Sequence, residues 1–162
     1  MSISIRSFNE DDRSWAIDLM RERWGGEVVV THGKARDASM LEGVVAELDG
    51  EPVGLATYET RGAECELVTL DSIKEGIGTG SALIAAVANA AWRQGCRKLS
   101  VVTTNDNVLA LGFYQRRGFV LTALRLGAVE KSRRLKPEIP ELGLNDIPIR
   151  DEIELTLKLG KN

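Results

Sequence analysis

Residues 73–80 read IKEGIGTG and set the architecture of the chain around them, because three glycines stand directly before a helical segment. Glycine at 76, 78 and 80 permits positive φ and lets another group come close to the backbone. From about Ser81 to Gln94 apolar residues recur at helical spacing, and Gly95 is a typical C-cap. The stretch therefore predicts a glycine-rich loop that opens onto the N-terminus of a helix.

Such a loop forms an anion site without a basic side chain, since the N–H groups of the first helical turn and the helix dipole point to one place. Phosphate or pyrophosphate is the natural occupant, and a tight strand-to-helix connection is the alternative that the loop alone leaves open. A P-loop is excluded because Gly80 is followed by Ser81-Ala82 rather than by Lys-Ser/Thr. A dinucleotide fingerprint is excluded because the next strand ends in Thr103-Thr104-Asn105 rather than in an acidic residue.

The rest of the chain alternates between strand patterns and short helical patterns. Helices are predicted from Asn9 to the Gly25-Gly26 pair, over 81–94, and over a short segment that ends at Gly118. Strands are predicted at 2–8, 43–48, 52–60, 64–70, 98–103, 119–130 and 151–159. The Asp49-Gly50 pair predicts a hairpin between two of them.

Three segments have weaker patterns. Residues 27–32 fit a short strand or an extended loop, 33–42 are predicted as a loop, and 131–150 as a proline-containing loop before the last strand. Together the elements predict one α+β domain over 1–162, with a mainly antiparallel sheet and one strand–loop–helix–strand crossover near 64–103.

Composition limits the classes of function. The chain has 162 residues and a net charge of −3, which suits one globular domain and argues against nucleic acid as a partner. No apolar run approaches the roughly 20 residues of a membrane span, and no signal segment is recognisable, so we expect a cytoplasmic protein without a membrane partner. Cys65 and Cys96 lie outside any metal-ligand spacing and His32 is the single histidine, so no metal site is expected.

A second motif stands after the crossover, and its residues are Asn107, Ala110, Phe113, Tyr114, Gly118 and Phe119. With the glycine loop it resembles the Gcn5-related N-acetyltransferase (GNAT) family. The family's pyrophosphate loop commonly reads Gln/Arg-x-x-Gly-x-Gly/Ala, and residues 73–78 match it except that Ile73 stands where Gln or Arg is usual. The second motif is similar to the family's Asn-x-x-Ala-x-x-Phe-Tyr followed by Gly-Phe. The resemblance extends from the first strand to about Glu130.

The resemblance implies a sheet with helices on both faces, acetyl-CoA as co-substrate, and direct acetyl transfer to a primary amine of a small-molecule or peptide acceptor. A backbone N–H near Leu70 would polarise the thioester oxygen. Tyr114 would donate a hydrogen bond or a proton to the leaving thiolate. The residues that the resemblance implies for binding the cofactor are Leu70, Asp71, Glu75, Gly76, Ile77, Gly78, Thr79, Gly80, Ser81, Asn107 and Tyr114.

A general base is the other catalytic group that we expect, because an amine attacks only when it is neutral. Glu66 is the best placed carboxylate, and a strand position that faces solvent is its plain alternative. His32 is a second candidate, because it is the only side chain in the sequence whose ordinary pKa lies near neutrality. A run of basic residues, comprising Lys131, Arg133, Arg134 and Lys136, is predicted to form a solvated strand end or to meet an anionic partner.

Two other functions and a possible assembly stay open at this level. A non-catalytic CoA-binding sensor or interaction domain would keep the glycine loop and Asn107 but lack an acceptor site. A nucleotide-phosphate binder would use the loop without CoA. Edge strands, including 153–159, are expected to offer a surface for a homodimer.

Overall fold

The computed structural model describes residues 2–160 of the chain. Its helices are α1 (Arg13–Trp24), α2 (Thr79–Arg93), α3 (Val108–Arg116) and α4 (Ala128–Leu135). Its strands are β1 (Ile3–Ser7), β2 (Val28–Thr31), β3 (Lys34–Asp37), β4 (Glu42–Leu48), β5 (Glu51–Arg61), β6 (Glu64–Ser72), β7 (Lys98–Thr104), β8 (Val120–Arg125) and β9 (Glu152–Lys158). Short 3-10 turns occupy Glu10–Asp12, Ala38–Met40 and Leu144–Asp146.

Seven strands form one sheet in the order β1-β4-β5-β6-β7-β9-β8, and β2 pairs with β3 in a separate hairpin. Within the seven-stranded sheet every neighbouring pair is antiparallel except β6 and β7, which are parallel and joined through α2. The predicted α+β fold with a mainly antiparallel sheet and one crossover is therefore confirmed.

The helices cover both faces of the sheet, because successive strand residues point to opposite sides. On one face α2 buries Leu83 and Val87 against β1, β4, β5 and β6. On the other face α1 packs Ala16, Leu19 and Met20 against Val45, Leu55 and Val68. The expectation of helices on both faces is confirmed. No helix within residues 2–160 is long and apolar enough to cross a membrane.

The parallel pair β6 and β7 separates halfway along β6. The two strands pair only over Glu64–Leu67 and Lys98–Val101, after which β7 keeps its partner β9 and β6 continues alone on that side. Val68 is an extra residue in the ladder between β5 and β6, since Leu67 and Thr69 pair with adjacent residues of β5. A bulge of this kind bends its strand, and here it accompanies the opening of a gap between the ends of β6 and β7.

The prediction of a loop over 33–42 is wrong, because Lys34–Asp37 forms β3 and Ala38–Met40 a 3-10 turn. Of the two alternatives for 27–32, the strand is present as β2. The connection between β2 and β3 is the pair His32-Gly33, whose φ values of 55° and 70° are both left-handed. A two-residue hairpin turn of that conformation matches the twist of its strands, and histidine is not a usual signal for it.

The prediction of a long strand over 119–130 is also wrong. Strand β8 ends at Arg125 and α4 begins at Ala128, after Gly127 with a left-handed φ of 69°. The N–H of Gly127 donates to Asp151 Oδ1 (2.8 Å), which fixes the break. The first five residues of the predicted loop 131–150 are therefore helical.

The predicted edge position of 153–159 is wrong as well, because β9 lies between β7 and β8 and uses both of its backbone edges. The outer strands of the sheet are β1 and β8.

Candidate active site

The gap between β6 and β7 opens into a cleft of about 710 Å³. The end of β6, the glycine loop, the end of β7 and one side of α3 form its walls. The cleft brings together ten of the eleven residues predicted to bind the cofactor, which are Leu70, Asp71, Glu75, Gly76, Gly78, Thr79, Gly80, Ser81, Asn107 and Tyr114. The eleventh, Ile77, points instead into a shallow depression lined also by Ile3 and Leu48.

The glycine loop has the conformation of an anion cradle. Gly76 and Gly78 have left-handed φ values of 78° and 82°, and Gly78 is the N-cap of α2 without a side chain that could cap it. The first bond of the helix runs from the Ala82 N–H to the Gly78 carbonyl (3.0 Å). The N–H groups of residues 79–81 are therefore left to bind a ligand at the positive end of the helix dipole.

Two residues of the loop also serve packing. A Cβ atom on Gly80 would lie 2.9 Å from Cζ of Phe113, so glycine is needed there for α3 to approach α2. The Thr79 hydroxyl is buried and has no hydrogen-bond partner among the described residues. Thr79 offers the cleft its backbone N–H.

Tyr114 lines the cleft from α3 and is 7% exposed. Its ring meets Phe113 and Phe119 edge-on, with centroids 5.2 and 5.3 Å away. Burial raises the pKa of Tyr114, and the negative charge of Asp71 raises it further. Tyr114 therefore stays protonated at neutral pH and presents a hydrogen-bond donor.

The side-chain amide of Asn107 caps a helix with its oxygen and faces the cleft with its NH₂ group. Its Oδ1 accepts the N–H of Ala110 (3.2 Å) and thereby caps α3. The remaining amide group of Asn107 lies at the wall of the cleft, where it can donate to a ligand.

Asp71 and Trp24 meet at the side of the cleft formed by the end of α1. The indole Nε1 of Trp24 donates to both carboxylate oxygens of Asp71, at 2.9 and 3.2 Å. Asp71 is 7% exposed, and burial raises the pKa of its carboxyl group above the ordinary value. Both residues line the cleft.

Glu66, the base predicted from the sequence, belongs to a charged cluster beside the cleft rather than to its lining. Its Oε2 accepts from Arg36 Nη2 (2.7 Å) and from Thr31 Oγ1 (2.8 Å). His32 Nε2 lies 3.7 Å from Glu66 Oε1 and 3.2 Å from Glu154 Oε1. The cluster attaches the hairpin β2–β3 to the large sheet and brings the two candidate bases together.

Four basic side chains line the cleft although the sequence did not predict them as site residues. They are Arg23, Lys74, Arg116 and Arg117. The Nε of Arg117 donates to Ser81 Oγ (2.9 Å), and its guanidinium lies 3.6 Å from the centroid of the Phe113 ring. The signal that could have found Arg117 is its position four residues after Phe113 on the same helical face. An acidic chain thus concentrates positive charge beside its anion cradle.

Two side chains of the basic run in the C-terminal segment bond within the fold, while Lys131 and Arg134 are exposed. Arg133 donates to the carbonyls of Ile139, Pro140 and Ile149, and Lys136 donates to those of Trp24 and Val28. The expectation of a solvated strand end is wrong, because residues 131–135 are helical and Arg133 and Lys136 satisfy backbone carbonyls inside the fold. The anionic partner stays a prediction.

Comparisons with known proteins agree with this geometry. The model of the acetyltransferase (GNAT) family matches residues 5–119. The uncharacterized protein YdhI of Bacillus subtilis (strain 168) is 43% identical over 147 residues, which cover 90% of this chain and 91% of YdhI.

Two solved structures share the fold. An IAA acetyltransferase from Bacillus cereus ATCC 14579 superposes with a TM-score of 0.73 at 23% identity, covering 98% of this chain and 100% of its own. A GNAT family acetyltransferase from Elizabethkingia anophelis, with acetyl-CoA bound, gives a TM-score of 0.68 at 21% identity and covers 97% and 98% of the two chains. Since the family match spans more than half of the sequence, the chain belongs to the acetyltransferase (GNAT) family.

Proposed function

We propose that the protein is an acetyl-CoA-dependent N-acetyltransferase that moves an acetyl group directly to a primary amine. One observation carries the proposal: a single cleft joins the anion cradle at the start of α2 to the protonated hydroxyl of Tyr114. Between the cradle and Tyr114 the cleft runs along the edge of β6 that has no strand partner. A thioester on a long arm that ends in phosphates fits such a cleft.

The phosphate end of the cleft suits a polyanion. The N–H groups of residues 79–81 would bind the pyrophosphate, and Arg116, Arg117 and Lys74 add positive charge around it. The acetyl-CoA complex of the Elizabethkingia anophelis neighbour, which has the same fold, supports this choice of co-substrate.

The backbone of β6 suits the pantetheine arm. Beyond Leu67 its groups on the side of β7 have no strand partner, because the pairing of the two strands ends at Leu67 and Val101. Amides of the arm would take the place of the missing strand. An N–H near Leu70 would then hydrogen-bond the thioester oxygen, where negative charge develops during transfer.

Tyr114 is proposed to assist the departure of the thiolate by a hydrogen bond. A tyrosine of ordinary pKa, about 10, is already a weaker acid than a thiol at about 8.5. Burial raises the pKa of Tyr114 further, so complete proton transfer to sulfur is unfavourable while donation of a hydrogen bond is retained.

Glu66 stays the sequence-based prediction for the general base, with His32 beside it. Arg36 and Thr31 hold Oε2 of Glu66, and Oε1 lies 3.7 Å from His32 Nε2. If this prediction is right, Glu66→Gln loses most of its activity below neutral pH and recovers as the amine loses its own proton.

Release of the CoA thiol during incubation with acetyl-CoA and a panel of primary amines tests the proposed function. Alkylamines, amino acids and short peptides with a free N-terminus cover the acceptor classes. The proposal expects amine-dependent thiol release and an acetylated amine in the mass spectrum. CoA binding by calorimetry without thiol release for any amine would favour a CoA-binding sensor domain instead.

A further inference from the structure

Asp71 differs from the other buried carboxylates among residues 2–160. Each of the others accepts hydrogen bonds from at least two different groups. Their donors are Arg6 and Asn9 for Asp12, Thr104 and Leu144 for Asp106, Gly127 and Arg150 for Asp151, and Arg125 and His32 for Glu152. Asp71 has only the indole Nε1 of Trp24, although a carboxylate offers about four acceptor positions.

A buried carboxylate with one donor needs a further partner, because leaving its acceptor positions empty away from water is costly. No salt bridge is formed by Asp71 with any cation of the described residues 2–160, and Arg23 at the end of α1 acts on it only from a distance. Its open side is the cleft. A ligand that brings N–H donors and positive charge would supply such a partner from the cleft.

The position of Asp71 fits the place where acetyl transfer would occur. It directly follows Leu70, whose backbone faces the gap between β6 and β7. Its charge reaches the hydroxyl of Tyr114, which is proposed to meet the sulfur of the thioester. A group bound to Asp71 would therefore lie between the end of α1 and the place proposed for the thioester.

We propose that Asp71 binds the ammonium group of the acceptor and takes up its proton, with Trp24 as the positioning residue that holds the carboxylate. The inference rests on the proposed acetyl transfer and narrows its acceptors to cationic primary amines. Raised proton affinity, which burial gives to Asp71, suits a base more than an ordinary surface carboxylate would.

One N–H bond of the ammonium breaks, its proton passes to the Asp71 carboxylate, and the electron pair stays on nitrogen. That pair forms a bond to the thioester carbonyl carbon, the C–S bond breaks, and its electrons leave with sulfur. The sulfur takes up the second proton that nitrogen loses, while Asp71 returns the first to solvent.

Glu66 is less suited to touch the amine. Arg36 and Thr31 already satisfy one of its oxygens, His32 stands next to the other, and the residue does not line the cleft. The inference assigns Glu66 to the support of the hairpin β2–β3 and Asp71 to the contact with substrate.

Two nucleophiles distinguish a residue that takes a proton from the amine from a residue that only supports the fold. One is a simple alkylamine, which is cationic at neutral pH, and the other is hydroxylamine, which is neutral. Asp71→Asn is expected to lower kcat/KM for the alkylamine by about 100-fold, and that for hydroxylamine by less than about threefold. Raising the pH should restore the alkylamine reaction of this variant. Urea unfolding checks that the variant folds as the unsubstituted protein does.

Trp24→Phe provides a second variant that keeps an aromatic ring and removes the Nε1 donor. Because that donor lowers the pKa of Asp71, its loss should move the acid limb of the pH profile to higher pH. The groups facing Asp71 whose charge also matters are Arg23 from α1 and Tyr114 from α3. Neither is altered by this substitution, and an unmoved acid limb would contradict the inference.

Glu66→Gln is the matched comparison. A structural role predicts equal losses for the alkylamine and hydroxylamine. A selective loss of the alkylamine reaction in Glu66→Gln, with Asp71→Asn unaffected, would overturn the inference and leave the proposed function intact. Absence of thiol release from the unsubstituted protein with every amine would overturn the proposed function and the inference with it.

Discussion

The ammonium group of Lys136, just after α4, lies 2.8 Å from the carbonyl oxygen of Trp24, 112 residues earlier in the chain. The same nitrogen donates to the carbonyl of Val28 at 2.7 Å. Lys136 is buried, and burial lowers the pKa of its amine. One C-terminal side chain thus joins the end of α1 to the start of β2, directly behind the contact between Trp24 and Asp71.

Replacing Lys136 by methionine should loosen the acceptor side of the cleft more than the CoA side. Two backbone carbonyls lose a charged donor, which should lower the free energy of unfolding by about 1–3 kcal/mol. We expect KM for the amine to rise by about tenfold, since Trp24 is no longer fixed, while KM for acetyl-CoA stays within about twofold. Steady-state kinetics and urea unfolding measure the two effects, and equal increases in both KM values would contradict this role.

Arg117→Ala should weaken CoA binding and leave the acceptor alone. The side chain stands beside Ser81 at the start of α2, where the phosphates are proposed to bind. Loss of one charge-assisted contact should raise the Kd for CoA by about tenfold, with a shallower dependence on salt. Calorimetry at two ionic strengths measures both.

Arg134→Ala removes the same charge from an exposed position of α4 and is the control for Arg117→Ala. The two variants differ in distance from the cleft but not in net charge. Equal effects on CoA binding would mean that Arg117 acts only through the overall charge of the protein.

Gly78→Ala should disturb the anion cradle through backbone strain. Nothing lies within 4 Å of the added Cβ, so the substitution acts through the left-handed φ of 82° rather than through a clash. Such strain costs about 1–2 kcal/mol. Part of it should appear as a rise of the CoA Kd by about tenfold or less, which corresponds to about 1.4 kcal/mol.

Gly62→Ala is the matched control, because Gly62 also has a left-handed φ and open space around its Cβ position but lies in the turn between β5 and β6. Both variants should show a similar loss of thermal stability, and only Gly78→Ala should lose affinity for CoA. Unchanged affinity in Gly78→Ala would show that the loop conformation does not matter for binding.

Arg36→Met should destabilise the fold by leaving Glu66 without its buried partner. The Arg36 side chain is 6% exposed and bonds Glu66 at 2.7 Å. Removing one member of a buried pair costs about 3–5 kcal/mol. The double variant Arg36→Met/Glu66→Gln should recover part of that loss in urea unfolding, because Glu66 no longer leaves an unpaired buried charge. A double variant less stable than Arg36→Met would contradict this explanation.

Local signals in the sequence predicted most of the elements that position the site. The glycines around residue 78, the asparagine cap at 107 and the apolar stripe of α2 act within one or two turns, so a pattern identifies them. The hairpin turn at His32-Gly33 and the break at Gly127 were not predicted. Each depends on a left-handed backbone conformation that the neighbouring residues do not indicate.

Contacts between distant segments could not be predicted in the same way. Trp24 and Asp71 are 47 residues apart, and neither one's local pattern indicates that an indole will meet a carboxylate. Arg36 meets Glu66 only because the hairpin β2–β3 folds over the sheet, after a turn that the sequence did not reveal. These contacts depend on how whole elements pack, which is why the sequence named Glu66 but could not show that its carboxylate is already engaged.

Tyr114→Phe in the thiol-release assay tests the central claim most directly, because it removes one oxygen from the cleft and keeps the aromatic packing with Phe113 and Phe119. Burial and the charge of Asp71 both raise the pKa of Tyr114, so its hydroxyl should serve as a donor across the neutral range. The unsubstituted protein should release CoA thiol in step with acetylated amine, and Tyr114→Phe should lower kcat by about 100-fold while its Kd for CoA rises by less than about threefold. Thiol release at the same rate with and without amine, or an undiminished kcat in Tyr114→Phe, would contradict the account.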